Sequence, residues 1–186
     1  MSTETWFTLL VLAVGLERLA ELIVSKRNAA WSRARSGVET GRRHYPVMVM
    51  LHTGLLAGAL AEVLLRRPEF LPALGWTMLL LVLASQALRW WCIATLGPRW
   101  NTRVIVVPGM PPVTRGPYRW LSHPNYVAVV VEGVALPLVH SAWITAVVFT
   151  LCNAVLLTVR IRVENAALAA LPTPADGPEP GIEVRS

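Results

Sequence analysis

Residues 116–126 read GPYRWLSHPNY and gather polar side chains, among them Tyr118, Arg119, His123, Asn125 and Tyr126. Imidazole, phenol, amide and guanidinium groups can hydrogen-bond a polar ligand, and aromatic faces attract an ammonium or a sulfonium. Pro117 and Pro124 each remove a backbone donor and fix φ, and they push Gly116 and His123 out of the helical region. The stretch is therefore a shaped turn. Composition alone leaves two uses for it: one wall of a binding site, or an anchor at a membrane surface, where Tyr, Trp and Arg collect in any case. Further on, Arg160 and Glu164 stand four apart and share a helix face. A guanidinium offers a carboxylate a planar fork; a carboxylate suits an ammonium or sugar hydroxyls. The plain alternative is a snorkelling helix end with a surface ion pair worth little.

The elements that must position these groups are apolar. The chain has 186 residues, of which 54% are hydrophobic and 15% charged, against about a quarter charged in soluble domains. Five apolar runs, near 6–24, 46–65, 70–96, 125–139 and 142–159, approach the roughly 20 residues a membrane-spanning helix needs. The last two, broken at LPLVHS, form a helical hairpin. The stretch 25–45 carries Lys26, Arg27, Arg33, Arg35, Arg42 and Arg43 against the single acid Glu39. The long loop 97–122 carries Arg99, Arg103, Arg115 and Arg119. By the positive-inside rule both are cytoplasmic. Residues 104–107 are β-branched and suit an extended run, while Pro108, Pro111 and Pro112 prevent a helix through the loop.

The expected fold is an all-α integral membrane protein of about five transmembrane helices, the last two a hairpin, with a long cytoplasmic loop. Residues 1–171 form a single domain, and 172–186, rich in Pro, Gly and acids, read as a disordered tail. The net charge of +6 sits in loops beside apolar runs, so membrane topology accounts for it and nucleic acid is not an expected partner. Cys92 and Cys152 fall in apolar segments and read as buried, with no disulfide or metal spacing. The first apolar run leads into Glu17, Arg18 and Glu21, which argues for a span and against a cleavable signal. Those groups face either the protein interior or the headgroups. His52 and Glu132 also lie in apolar runs. A carboxylate there is protonated, paired or in a cavity; a lone histidine is more often a hydrogen-bonded packing residue. Sixteen arginines against one lysine point to a GC-rich bacterial genome, hence a bacterial plasma membrane.

The order VTRGPYRWLSHPNY, an apolar hairpin, then RIRVEN resembles the isoprenylcysteine carboxyl methyltransferase family of integral membrane enzymes. The family pattern is a Gly-x-Tyr turn, here Gly116-Pro117-Tyr118, then His-Pro-x-Tyr, here His123-Pro124-Asn125-Tyr126. A hairpin follows, closed by an Arg and a Glu four apart, here Arg160 and Glu164. The first half is similar to a bacterial branch through ELxxSxRN, ExGxxHYPxMVxLH and LGxRWNTRxIVxPG. Two positions depart: Ser122 stands where Arg is usual and Asn165 where a second Glu is usual. The family's later Phe-Gly-x-Glu-Tyr block is missing.

The resemblance implies S-adenosyl-L-methionine as cofactor. It implies a pocket made by residues 110–113, among them Pro112 and Val113, with Gly116, Tyr118, His123, Pro124, Asn125, Tyr126 and Glu164. Arg160 is the implied catalytic residue, orienting a carboxylate acceptor that needs no base. A phenol-like acceptor must lose a proton, and His123, His52 and Glu132 are then candidate bases. Arg160, Glu132 and His52 are the expected substrate contacts. The expected partners are a lipidic or lipidated acceptor and membrane lipids, with no obligate protein partner, and the site faces the cytoplasm. Isoprenylcysteine carboxylates, phenolic or pyrone lipid hydroxyls and phospholipid amines compete as acceptors. Two other classes stay open: an NADPH-dependent sterol-type membrane reductase, which shares the His-Pro-x-Tyr motif and hairpin, and a non-enzymatic membrane scaffold.

Overall fold

Five helices and two short strands follow in order in a computed structural model that describes residues 2–42 and 44–169. They are α1 (Thr3–Arg33), β1 (Val38–Thr40), α2 (His44–Arg66), α3 (Pro72–Leu96), β2 (Val104–Val106), α4 (Pro124–Leu138) and α5 (Trp143–Ala169). Single 3-10 turns occupy Gly97–Arg99 and Gly116–Arg119. The stretch 172–186, expected to be disordered, lies outside the described residues.

Three helices, α2, α3 and α5, are long and apolar enough to cross a membrane, and the chain is an integral membrane protein. Five spans were expected. The other two helices fall short of that measure for different reasons. α4 is apolar but has 15 residues, about 22 Å at 1.5 Å each against a hydrocarbon thickness of about 30 Å. α1 has 31 residues, and Glu17, Arg18, Glu21, Lys26 and Arg27 charge its second half.

α1 also runs past its expected end near residue 24 to Arg33. Its continuation is held from the side. Asn28 Nδ2 donates to the Gly97 carbonyl at 3.2 Å and the Trp100 carbonyl at 2.7 Å. The Ser25 hydroxyl donates to Asn101 Oδ1 at 2.8 Å and accepts from the Thr102 N–H at 3.1 Å. The helix stops where Ser36 turns left-handed (φ 59°) and the Gly37 N–H returns to the Ser32 carbonyl at 2.9 Å, an arrangement that satisfies end carbonyls. α5 likewise continues beyond its expected end, so Arg160 and Glu164 sit on a helix.

The two loops expected on one side of the membrane are joined directly. β1 and β2 pair antiparallel, with Val38 opposite Val106, Glu39 opposite Ile105 and Thr40 opposite Val104. Arg103 adds an ion pair to Glu39 at 2.6 Å and lies 4.2 Å from the Tyr45 ring centre.

The apolar core sits at the opposite end, around the hairpin turn. Phe7, Val11 and Val14 of α1 meet Ala59 and Val63 of α2, Val82 of α3, and Ala135, Leu136, Val139 and Ala142 of the hairpin. Gly133 lets α4 approach α5 so closely that a Cβ there would overlap the Phe149 ring. The Glu62 carboxylate accepts from the N–H groups of Ile144 and Thr145 at 3.0 and 2.8 Å, an N-terminal cap for α5 donated by another helix. Outward-facing Met50, Leu65 and Val155 are 73, 83 and 70% exposed, a surface suited to hydrocarbon and not to water. Cys92 is buried as expected. Cys152 is exposed, because it falls on the outward face of α5.

Candidate active site

With the core at the hairpin end, the helices leave a cavity of ≈ 810 Å³ toward the loop end, within the range of small-molecule sites, about 300–1,000 Å³. Seven of the expected site residues line it: Tyr118, His123, Asn125, Tyr126, Arg160, Glu164 and His52. The turn 116–126 places four of them. Gly116 supplies a left-handed φ of 58° and packs against Thr95. Pro117 and Pro124 are buried, and Pro124 opens α4. Gly116 and Pro124 thus shape the wall without lining the cavity. Pro112 is exposed and Val113 partly buried, in irregular chain outside the lining.

Tyr126 is the centre of the polar end. Its hydroxyl donates to Glu164 Oε2. Its ring stacks on His123, centres 5.3 Å apart and planes 22° apart, and lies 5.7 Å from the Arg160 guanidinium carbon. His123 Nε2 meets Asn165 Oδ1 at 3.1 Å, and its Nδ1 lies 3.8 Å from Glu164 Oε1. Asn165, where the family pattern has a glutamate, therefore holds the imidazole. Arg160 and Glu164 share a face but do not pair with each other. Arg160 is 5% exposed; its Nη2 donates to the Thr102 carbonyl at 2.9 Å and its Nη1 to the Met48 sulfur. Burial, and after it the adjacent Cys92 thiol, push the Tyr118 phenol well above its usual range, so it stays protonated, able to donate.

A second polar cluster lies deeper, where α1, α3 and α4 meet. Arg89 Nη2 donates to Glu132 Oε2 at 2.6 Å. Arg18 Nη1 lies 2.9 Å from Glu21 Oε2, and Arg18 Nη2 lies 3.6 Å from Glu132 Oε2. Glu17 accepts from Gln86 and from the Trp90 indole. Arg18, Glu21 and Arg89 line the cavity. Glu132, 3% exposed, stands outside the lining, as the counter-ion of Arg89. His52 gives its Nδ1 to the Met48 carbonyl at 2.9 Å and meets Phe149 edge-on. From this cluster an apolar arm runs between α1 and α2. Its α1 rim, Leu12, Leu16 and Leu19, is 52, 68 and 58% exposed, so the arm opens on the lipid-facing flank.

Sequence reasoning did not place Arg18, Glu21, Arg89, Trp100 or Asn153 in the site, yet all line the cavity. The signal for the first three was their charge inside apolar runs. Trp100 and Asn153 carried none that separates them from ordinary belt and helix residues. Several polar atoms around the cavity have no hydrogen-bond partner among the described residues: Asn125 Oδ1, Asn153 Oδ1, Trp100 Nε1, Arg160 Nε and Glu21 Oε1. Buried groups of this kind are rare unless something meets them.

These features define a helical membrane protein that presents a small-molecule site, polar at one end, beside hydrocarbon. Residues 78–170 match the isoprenylcysteine carboxyl methyltransferase family. The chain is also 39% identical over 163 residues to the uncharacterized protein YpbQ of Bacillus subtilis (strain 168), covering 87% of this chain and 96% of that one. No solved structure matches. The chain belongs to the isoprenylcysteine carboxyl methyltransferase family, which makes it a membrane methyltransferase.

Proposed function

We propose that the protein transfers a methyl group from S-adenosyl-L-methionine to a carboxylate or hydroxyl of a lipidic acceptor, at a site facing the bacterial cytoplasm. The observation that carries this reading is the joining, in one cavity, of a polar end built around Tyr126 and Glu164 and an apolar arm open between α1 and α2. The donor set fits the cofactor. Glu164 is a carboxylate for its ammonium or ribose hydroxyls, the stacked His123 and Tyr126 rings suit a cationic sulfonium and an adenine, and Asn125 Oδ1 is an acceptor in want of a donor. Tyr118 adds a phenol donor. When bound, the cofactor supplies an electrophilic methyl on sulfur.

Every other contribution comes from the chain's own groups. Tyr126 fixes Glu164 by its hydroxyl and spares it a water partner. Pro117 and Pro124 stiffen the turn, which limits the ordering cost of binding. Arg160, held by the Thr102 carbonyl, keeps a positive charge beside the reacting end and orients an anionic acceptor; His52 lines the acceptor path. The apolar arm excludes water and positions the acceptor's tail, and proximity then supplies most of the rate.

Labelled-methyl transfer from S-adenosylmethionine into lipid extracts, with the purified full chain in detergent or vesicles, tests the reading. Incorporation into an extractable lipid, lost in Glu164→Ala, is expected. A well-folded preparation that labels no lipidic acceptor and gives no heat with S-adenosylmethionine removes it.

A further inference from the structure

Residues 21–28 read ELIVSKRN and residues 96–103 read LGPRWNTR. The two stretches are stitched together beside Arg160. Ser25 and Asn28 stand three apart and share a face of α1. Asn28 clasps the Gly97 and Trp100 carbonyls, and Ser25 clasps the next two residues. Its hydroxyl donates to Asn101 Oδ1 at 2.8 Å, and its Oγ accepts from the Thr102 N–H at 3.1 Å. Thr102 Oγ1 lies 2.7 Å from Ser25 Oγ. With the serine proton on Asn101, the threonine hydroxyl is the donor in that contact. A hydroxyl offers one proton and two lone pairs, so these three bonds use Ser25 fully. Ser25 is 4% exposed and stands outside the cavity lining.

Thr102 precedes β2, which opens at Val104, so no strand ladder holds it. Its N–H and hydroxyl both go to Ser25, and its carbonyl accepts from Arg160 Nη2 at 2.9 Å. The other hydrogen-bond partner of Arg160 is the Met48 sulfur, and a thioether is a weak acceptor. Arg160 Nε has no partner. Among the described residues, the Thr102 carbonyl is therefore the one oxygen that fixes the guanidinium plane, and Ser25 sets the place of that carbonyl. The path from Ser25 through Thr102 to Arg160 joins α1 to α5.

We propose that Ser25 is a positioning residue for methyl transfer: it pins Thr102 so that the Thr102 carbonyl holds Arg160 in the plane it presents to the acceptor. The inference rests on the methyl-transfer reading above and adds to it a residue that meets neither substrate. Removing the Ser25 hydroxyl frees Thr102 on two sides, and the guanidinium loses its fixed plane while keeping its charge. The polar end built on the turn 116–126 and Glu164 shares none of these bonds, so cofactor affinity is left alone.

Four full-length proteins in one detergent test this: wild type, Ser25→Ala, Arg160→Lys and the double variant. Labelled-methyl transfer from S-adenosylmethionine into a total bacterial lipid extract gives the rate at saturating cofactor, and calorimetry gives the affinity for S-adenosylmethionine. Ser25→Ala is expected to lower the rate about tenfold, as a small misplacement of a reacting group does, with the affinity unchanged. In the Arg160→Lys background the planar fork is already gone. There the same change is expected to alter the rate by less than about twofold, as for residues that act as a unit. Equal losses in both backgrounds indicate a general loosening of the fold and overturn the proposal. So does a Ser25→Ala loss that lies in cofactor affinity and not in rate. Should Ser25→Ala fail to fold, Thr102→Val takes its place: it removes the hydroxyl, keeps the carbonyl, and is expected to give a smaller loss with the same dependence on Arg160. Thermal unfolding of the four proteins reads the link without turnover. Non-additive shifts are expected of residues in one hydrogen-bonded chain, and additive shifts overturn the proposal. A wild type that shows the coupling, labels no lipid and gives no heat with S-adenosylmethionine removes the methyltransferase reading and leaves the brace on Arg160 standing.

Discussion

Tyr126 donates its hydroxyl hydrogen to Glu164 across the gap between the first turn of α4 and the last stretch of α5. Their separation in sequence spans the whole hairpin, so the bond ties the hairpin's two open ends together at the polar end of the cavity. The same phenol ring carries His123 on one side and lies near Arg160. One side chain thus orders a carboxylate, an imidazole and a guanidinium.

Replacing that hydroxyl isolates its share. Tyr126→Phe keeps the ring stack and removes the donor to a carboxylate, a hydrogen bond of a class worth about 1.5–3 kcal/mol. Glu164 is 31% exposed at its side chain and recovers part of this from water, so about a tenfold weakening of S-adenosylmethionine binding is expected. Calorimetric titration checks it; unchanged affinity would mean that Glu164 needs no help from Tyr126.

Arg160 is held by geometry as much as by charge. Arg160→Lys keeps the cation but cannot reach the Thr102 carbonyl and the Met48 sulfur together, since an ammonium has no planar fork. The turnover number is expected to fall by about two orders of magnitude, in line with a small misplacement of a reacting pair, with cofactor affinity changed far less. Single-turnover methyl transfer alongside equilibrium binding separates the two effects.

The Arg89–Glu132 pair joins α3 to α4 in nearly dry surroundings, its side chains 5 and 4% exposed. Arg89→Met leaves the buried Glu132 carboxylate with only Arg18 Nη2, at 3.6 Å, as a cation, and breaking a buried pair costs up to about 3–5 kcal/mol. Adding Glu132→Leu removes the stranded charge and is expected to restore most of the stability. Thermal unfolding of the two single variants and the double variant in one detergent measures the coupling. Additive losses would show that the pair is not a unit.

Gly133 is the close approach of α4 to α5. Gly133→Val drives a side chain into the Phe149 ring, and overpacking of this sort costs about 1–3 kcal/mol. Adding Phe149→Ala opens the space and should recover part of the loss in the same unfolding assay.

Much of this was legible in the chain. The turn 116–126, the hairpin and the Arg160–Glu164 spacing are local patterns, and the structure brings Tyr118, His123, Asn125, Tyr126, Arg160 and Glu164 into one cavity. What was not legible depends on partners distant in sequence. Asn28 extends α1 because it can satisfy the Gly97 and Trp100 carbonyls, and nothing near residue 28 announces those acceptors. Glu132 read as a substrate contact because a lone carboxylate in an apolar run needs a cavity or a cation. The cation, Arg89, stands 43 residues earlier in the chain. Arg18 and Glu21 resemble a helix end reaching the headgroups until α3 and α4 are seen to enclose them.

The apolar arm between α1 and α2 has a further consequence. No side chain of the described residues closes its flank at Leu12, Leu16 and Leu19, so surrounding acyl chains supply the missing wall. On the proposed function, the bilayer is then both a building material of the site and the reservoir from which the acceptor partitions. Occupancy of the arm is then expected to follow the acceptor's mole fraction among lipids and not its concentration in the aqueous volume, with every detergent used to extract the protein competing for the same berth.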